Sequence, residues 1–128
     1  MNSYEQIFSS DYETKIKVDR KEFLMSIERA ALISREGKKN PIKIEIDGDN
    51  MIITSRAELG TALEEVAIEL EGNNLSIAFN PRYLIEALKS IDDDEVSITF
   101  ISSLTPCIIH PIEGDHYKYL ILPIRLNA

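Results

Sequence analysis

Residues Phe79–Leu88 read FNPRYLIEAL, and this stretch decides the fold because the join it marks occurs twice. Phe79 closes the alternating run LSIAF, which reads as a strand. Asn80 then offers a side-chain acceptor to the free N–H groups of a helix start, and Pro81 takes the first helical position, where it has no N–H to lose. Leu84, Ala87, Leu88 and Ile91 follow as one apolar stripe. The same join stands earlier, where Val18-Asp19-Arg20-Lys21-Glu22-Phe23 matches Phe79-Asn80-Pro81-Arg82-Tyr83-Leu84. There TKIKV (Thr14–Val18) alternates, Asp19 is the cap and Glu22 closes a capping box. Phe23, Ile27, Ala30, Ala31 and Ser34 recur at helical spacing, predicting a helix from about Arg20 to Arg35 that Gly37 ends.

Each helix leads into three more strands. After the first come IKIEID (Ile42–Asp47), a turn at Gly48-Asp49-Asn50, MIITS (Met51–Ser55) and a strand over Leu63–Leu70. After the second, beyond the acidic run Asp92-Asp93-Asp94, come Val96–Ile101, Pro106–His110 and Tyr117–Leu122. IKIEID answers VSITFI, and MIITS answers CIIHP. The chain is thus strand-helix-strand-strand-strand, twice over, with each half unable to bury its sheet alone. This predicts an α+β domain with two helices packed against two four-stranded antiparallel sheets. Residues 1–11 read as a lead-in or connector, and 12–128 as the domain.

Composition bounds the function. The chain has 128 residues, enough for one domain with a real core, and 44% of them are hydrophobic. A formal net charge of -8 argues against a nucleic-acid binder built on bulk positive charge. The single cysteine, Cys107, excludes an internal disulfide framework. No apolar run is long enough to span a bilayer, and the first ten residues carry no signal-peptide core. A soluble, cytoplasmic protein is expected. Enzyme chemistry is not: His110 and His116 lack a partner at catalytic spacing, Asp92-Asp93-Asp94 lacks the ligand alternation and glycine of a calcium loop, and no glycine-rich phosphate loop occurs. Neither a metal nor a cofactor is expected.

The last ten residues, Tyr119–Ala128, read YLILPIRLNA. Proline cannot donate to a sheet ladder, so Pro123 marks an edge, a bulge or a strand end. Ile124 and Leu126 then have no later element to bury them, which predicts a binding surface.

The duplicated unit, together with ERAALIS (Glu28–Ser34), FNPRYLIEAL (Phe79–Leu88) and the closing LILPIRL (Leu120–Leu126), resembles the C-terminal third of the bacterial sliding clamp, the β subunit of DNA polymerase III. In that family three such domains make a protomer, and two protomers close into a ring around duplex DNA. The resemblance implies a non-catalytic processivity subunit that tethers polymerases, the clamp loader and repair proteins by gripping short peptides with apolar and glutamine positions. It assigns the pocket to Gln6, Ile7, Asn80, Tyr83, Leu104, Pro106, Leu120, Ile121, Leu122, Pro123, Ile124, Arg125 and Leu126. The ring interface falls on Leu32, Ile33, Glu64 and Glu65, with the strand near Ala62–Leu70 as the sheet edge offered across it. A DNA-facing role falls on Lys21, Arg35, Arg82 and Lys89, amid the mixed charges of Glu28 and Glu86. The alternative is a free-standing clamp-fold interaction domain that forms no ring.

Overall fold

The computed structural model describes residues 12–33, 40–58 and 60–125. Its elements run β1 (Thr14–Asp19), α1 (Arg20–Ala31), β2 (Ile42–Asp47), β3 (Asn50–Ala57), β4 (Gly60–Ala67), β5 (Glu69–Gly72), β6 (Leu75–Phe79), α2 (Pro81–Lys89), β7 (Glu95–Phe100), β8 (Cys107–His110) and β9 (Tyr119–Ile121). One sheet has the order β5-β1-β7-β8-β9 and the other β4-β3-β2-β6, with all pairs antiparallel.

The sheet orders show how the two halves depend on each other. β1 belongs to the first half but pairs with β7 of the second, Ile16 opposite Ile98. Reciprocally, β6 opens the second half but pairs with β2 of the first, Ile44 opposite Ile77. Each sheet is therefore completed by the other half's first strand. Alternation supplies the shared core: Ile16 and Val18, Ile42, Ile44 and Ile46, Val96 and Ile98, and Ile109 are all buried.

Both helix starts form as the residues require. The Asp19 carboxylate accepts from Glu22 N–H at 2.9 Å, and the Asn80 side chain from Arg82 N–H at 3.0 Å. Phe23, Ile27 and Ala30 of α1 and Leu84, Ala87 and Leu88 of α2 are buried, and the two helices pack against each other. Arg20 is buried as well, its Nε donating to Asp93 O at 2.7 Å and its Nη1 to Leu88 O at 2.9 Å.

Two differences from the sequence reading matter. The helix expected to reach Arg35 ends at Ala31, where Leu32 N–H bonds both Glu28 O and Arg29 O and tightens the last turn. Arg35 and Gly37 lie outside the described residues. The strand expected over Leu63–Leu70 is two strands: the chain bends at Ile68, whose N–H donates to Asp49 O, and crosses from one sheet to the other. That crossing adds the fifth strand, β5, to the edge beside β1. Gly72 closes it at φ +98, where a side chain would run into the Glu13 carbonyl.

The end of the second half repeats this move. After β9 the chain leaves its sheet through Leu122 and Pro123, and Ile124 bridges Ala78 of β6, N–H to carbonyl at 2.8 Å. β4 runs on into β5 beside β1, and β9 runs on to a bridge beside β6. Pro123 has no N–H to offer to a ladder, and among the described residues this crossing makes the bridge at Ile124.

Candidate functional site

α2 and β9 enclose a groove of about 390 Å³. The helix contributes Tyr83, Glu86, Ala87 and Ser90, whose spacing of three and four residues puts them on one face. The strand side contributes Tyr119, Leu120, Ile121 and Leu122. Period-two alternation divides the strand's work: Ile121 is buried, while Leu120 and Leu122 are 61% and 70% exposed. Tyr83 is 54% exposed at the first turn of the helix. A flat ring with a polar tip thus stands at the groove with two open leucines, a set that suits an apolar guest with some hydrogen-bonding capacity. Arg82 and Glu86 form an i,i+4 ion pair at 3.3 Å, and Ser90 spends its hydroxyl proton on Glu86 O at 3.0 Å.

Of the expected pocket residues, the groove brings together Tyr83, Leu120, Ile121 and Leu122. Asn80 is the helix cap. Leu104 is exposed in the turn between β7 and β8, its N–H donating to Ser102 Oγ, and Pro106 is half-buried just before β8. Pro123 and Ile124 are half-buried in the crossing to β6, and Arg125 is exposed beyond it. Gln6, Ile7 and Leu126 lie outside the described residues. Sequence reasoning missed Glu86, Ala87, Ser90 and Tyr119; the first three repeat from Tyr83 at helical spacing, a signal that was available.

The expected ring-interface residues lie at the end of α1 and on β4. Leu32 stands past the last turn of α1 and is 79% exposed, whereas Ile33 is half-buried. β4 is the edge strand of its sheet, Glu64 is held by Arg29 at 2.9 Å and Glu65 by Asn50 at 3.0 Å. Of the expected DNA-facing cations, Arg82 is paired with Glu86, and Lys89 lies 3.6 Å from Glu28 of the other helix. Lys21 is exposed.

His110 and Cys107, singled out in the sequence, have structural settings. His110 Nε2 lies 2.8 Å from Thr99 Oγ1 and its Nδ1 3.2 Å from Pro111 O, while burial lowers its pKa, aided by Lys15 and Lys118 nearby. Burial pushes the Cys107 thiol up to about 12. Among the described residues no His, Cys, Asp and Glu group could hold a metal ion, and no helix is long and apolar enough to cross a membrane.

Two interlocked β-α-β-β-β halves with paired helices are the architecture of a DNA-clamp domain. The fold matches the Bacillus subtilis DNA polymerase sliding clamp (TM-score 0.88, 32% identity, 99% of this chain and 34% of that one). It also matches the Thermotoga maritima DNA polymerase III beta subunit (TM-score 0.86, 34% identity, 99% of this chain and 35% of that one). In sequence, the Staphylococcus aureus beta sliding clamp is 43% identical over 122 residues, covering 94% of this chain. The family described as DNA polymerase III beta subunit, C-terminal domain, matches residues 5–125, and the chain belongs to that family. It spans about a third (32%) of the length of the curated relatives it matches.

Proposed function

We propose that this chain serves as the C-terminal domain of a replicative sliding clamp: a non-catalytic part of a ring around duplex DNA that docks short peptide motifs of polymerases, the clamp loader and repair proteins. On this reading residues 1–11 are the connector that precedes the domain. The observation that carries the docking role is the α2–β9 groove, where Tyr83, Leu120 and Leu122 present apolar area to solvent instead of to the core. An apolar side chain settling there gains roughly 25 cal/mol per Å² removed from water.

Ring closure is supported by the exposed edge of β4 and the exposed Leu32 past the end of α1, with Glu64 and Glu65 engaged by side chains of their own domain. A partner strand would add to that edge. Sliding on DNA asks for loose, sequence-independent contact, and helix faces whose cations are partly neutralised by Glu28 and Glu86 suit that task.

The groove is tested by fluorescence polarisation with a fluorescein-labelled pentapeptide, Gln-Leu-Ala-Leu-Leu. The paired substitution Tyr83→Ala with Leu122→Asp is expected to weaken binding at least about tenfold, the loss typical of a docking hot spot. Unchanged affinity in that variant would exclude the groove as the docking site.

A further inference from the structure

Leu120 is both a wall of the groove and the first member of a row that crosses the outer face of the five-stranded sheet. It stands opposite Ile108 of β8, Ile108 opposite Thr99 of β7, and Thr99 opposite Lys15 of β1. Cross-strand partners share a face. The residues that alternate with them, Ile109, Ile98 and Ile16, are buried in the core. The neighbouring row runs from His110 through Ser97 to Lys17. The outer face therefore changes across the sheet, from apolar at β9 and β8 to basic at β1.

Three lysines gather on this face. Burial lowers the His110 pKa, and Lys15 and Lys118 lower it further, so cations from both sides of β8 reach the imidazole. Among the described residues neither Lys15, Lys17 nor Lys118 makes an ion pair. Glu71 and Glu69 of β5 stand opposite Lys15 and Lys17. Yet Glu71 Oε2 accepts from the Tyr12 hydroxyl at 2.6 Å, and Lys15 Nζ lies over the Tyr12 ring, 5.9 Å from its centroid. β5 is also the strand farthest from the groove, so a chain leaving the groove meets the lysines before those carboxylates. On a protein of net charge -8, cations left without carboxylates beside a groove select an anionic guest.

On the reading of the groove as a peptide site, we propose that an acidic stretch flanking the partner's apolar motif crosses this face over Leu120, Ile108 and Thr99, passes Lys118 and ends on Lys15 and Lys17. Strands about 4.8 Å apart put Lys15 roughly 14 Å from Leu120, and an extended chain rising about 3.3 Å per residue spans that in about four or five residues. The partner's carboxylates therefore belong about four to six residues from the side chains seated in the groove. Ile108 gives the intervening residues an apolar step. Thr99 Oγ1 is already engaged by His110 Nε2 at 2.8 Å, which leaves selection to the lysines. These ion pairs form at the surface, so they add to groove affinity in small increments and weaken with salt.

The test is fluorescence polarisation with the same pentapeptide lengthened, at either end, by Ser-Ser-Asp-Asp-Asp-Asp or by Ser-Ser-Asn-Asn-Asn-Asn. One of the two acidic peptides is expected to bind about three- to tenfold more tightly than its Asn counterpart at low salt, the scale of a few exposed ion pairs. That ratio should approach one at high salt. It should also fall to one in the triple variant Lys15→Ser, Lys17→Ser, Lys118→Ser. It should persist in Lys21→Ser, Lys43→Ser, Arg56→Ser, which has the same net charge but loses cations elsewhere. A ratio of one or less at both ends, a gain that survives loss of the three lysines, or a gain lost in both variants overturns the proposal. So does an oligothymidylate that displaces the acidic peptide at lower concentration than the unlabelled peptide does, since it assigns the lysines to nucleic acid. Pentapeptide binding with a ratio of one strikes this inference alone. Absence of binding by every peptide removes the groove reading and this inference with it.

Discussion

The Arg20 guanidinium donates to the Leu88 carbonyl at 2.9 Å, so the first residue of one helix closes the end of the other. The same side chain binds Asp93 O, and Arg20 N–H binds Asp94 O. This ties the two halves of the repeat at their helices, in addition to the exchanged strands that join them at their sheets. Pro81 holds the matching position in the second half and has no such reach, so the tie exists once.

Replacing Arg20 with Ala is expected to destabilise the fold by about 2–4 kcal/mol, since the bonds of a buried guanidinium to the Leu88 and Asp93 carbonyls are lost and its packing goes too. Urea unfolding measures it. A loss below about 0.5 kcal/mol would show that water satisfies both carbonyls at no net cost.

The alternation along β9 makes a paired prediction. Ile121→Ala should cost about 2–4 kcal/mol, because Ile121 is buried opposite Cys107. Leu120→Ser and Leu122→Ser should each stay within about 0.5 kcal/mol. Equal losses at all three positions would mean that the exposed leucines belong to the core.

His110 predicts an acid sensitivity. Its pKa is lowered by burial, so the folded state resists protonation that the unfolded chain accepts. Below the ordinary histidine value of about 6.5 the unfolded state binds more protons, and stability falls as pH drops toward the folded-state pKa. His110→Gln should flatten this part of the pH–stability curve. The urea midpoint at acid and at neutral pH, in the unsubstituted protein and the variant, provides the check.

Duplex binding by the chain alone should be undetectable at physiological salt. The net charge is -8, and Arg82 and Lys89 already face carboxylates. A clear micromolar shift in a mobility assay would contradict the weak-contact reading of the helix faces.

Much of the architecture was legible in local chemistry. The caps at Asp19 and Asn80, the stripe through Leu84, Ala87 and Leu88, and the alternation in IKIEID all depend on neighbours within a few residues, and each appears where the pattern places it. The bend at Ile68 was not legible. Leu63–Leu70 alternates well enough for one strand, and only the position of β1 as a second available edge makes the chain change sheets there.

The candidate site divides along the same line. Tyr83, Leu120 and Leu122 were assigned to a pocket by the family resemblance and not by their own pattern, which suits a core as well, and the structure sets them together at one groove. Glu86, Ala87, Ser90 and Tyr119 joined the site only when α2 was laid against β9. Side-chain period and capping are properties of adjacent residues and can be read in order along the chain. The crossing of Ile124 to Ala78, the Arg20–Leu88 tie and the Asp93–His116 hydrogen bond join residues far apart in sequence. They exist because two halves that cannot bury their own sheets are forced to share a core, and that packing alone sets which distant residues meet.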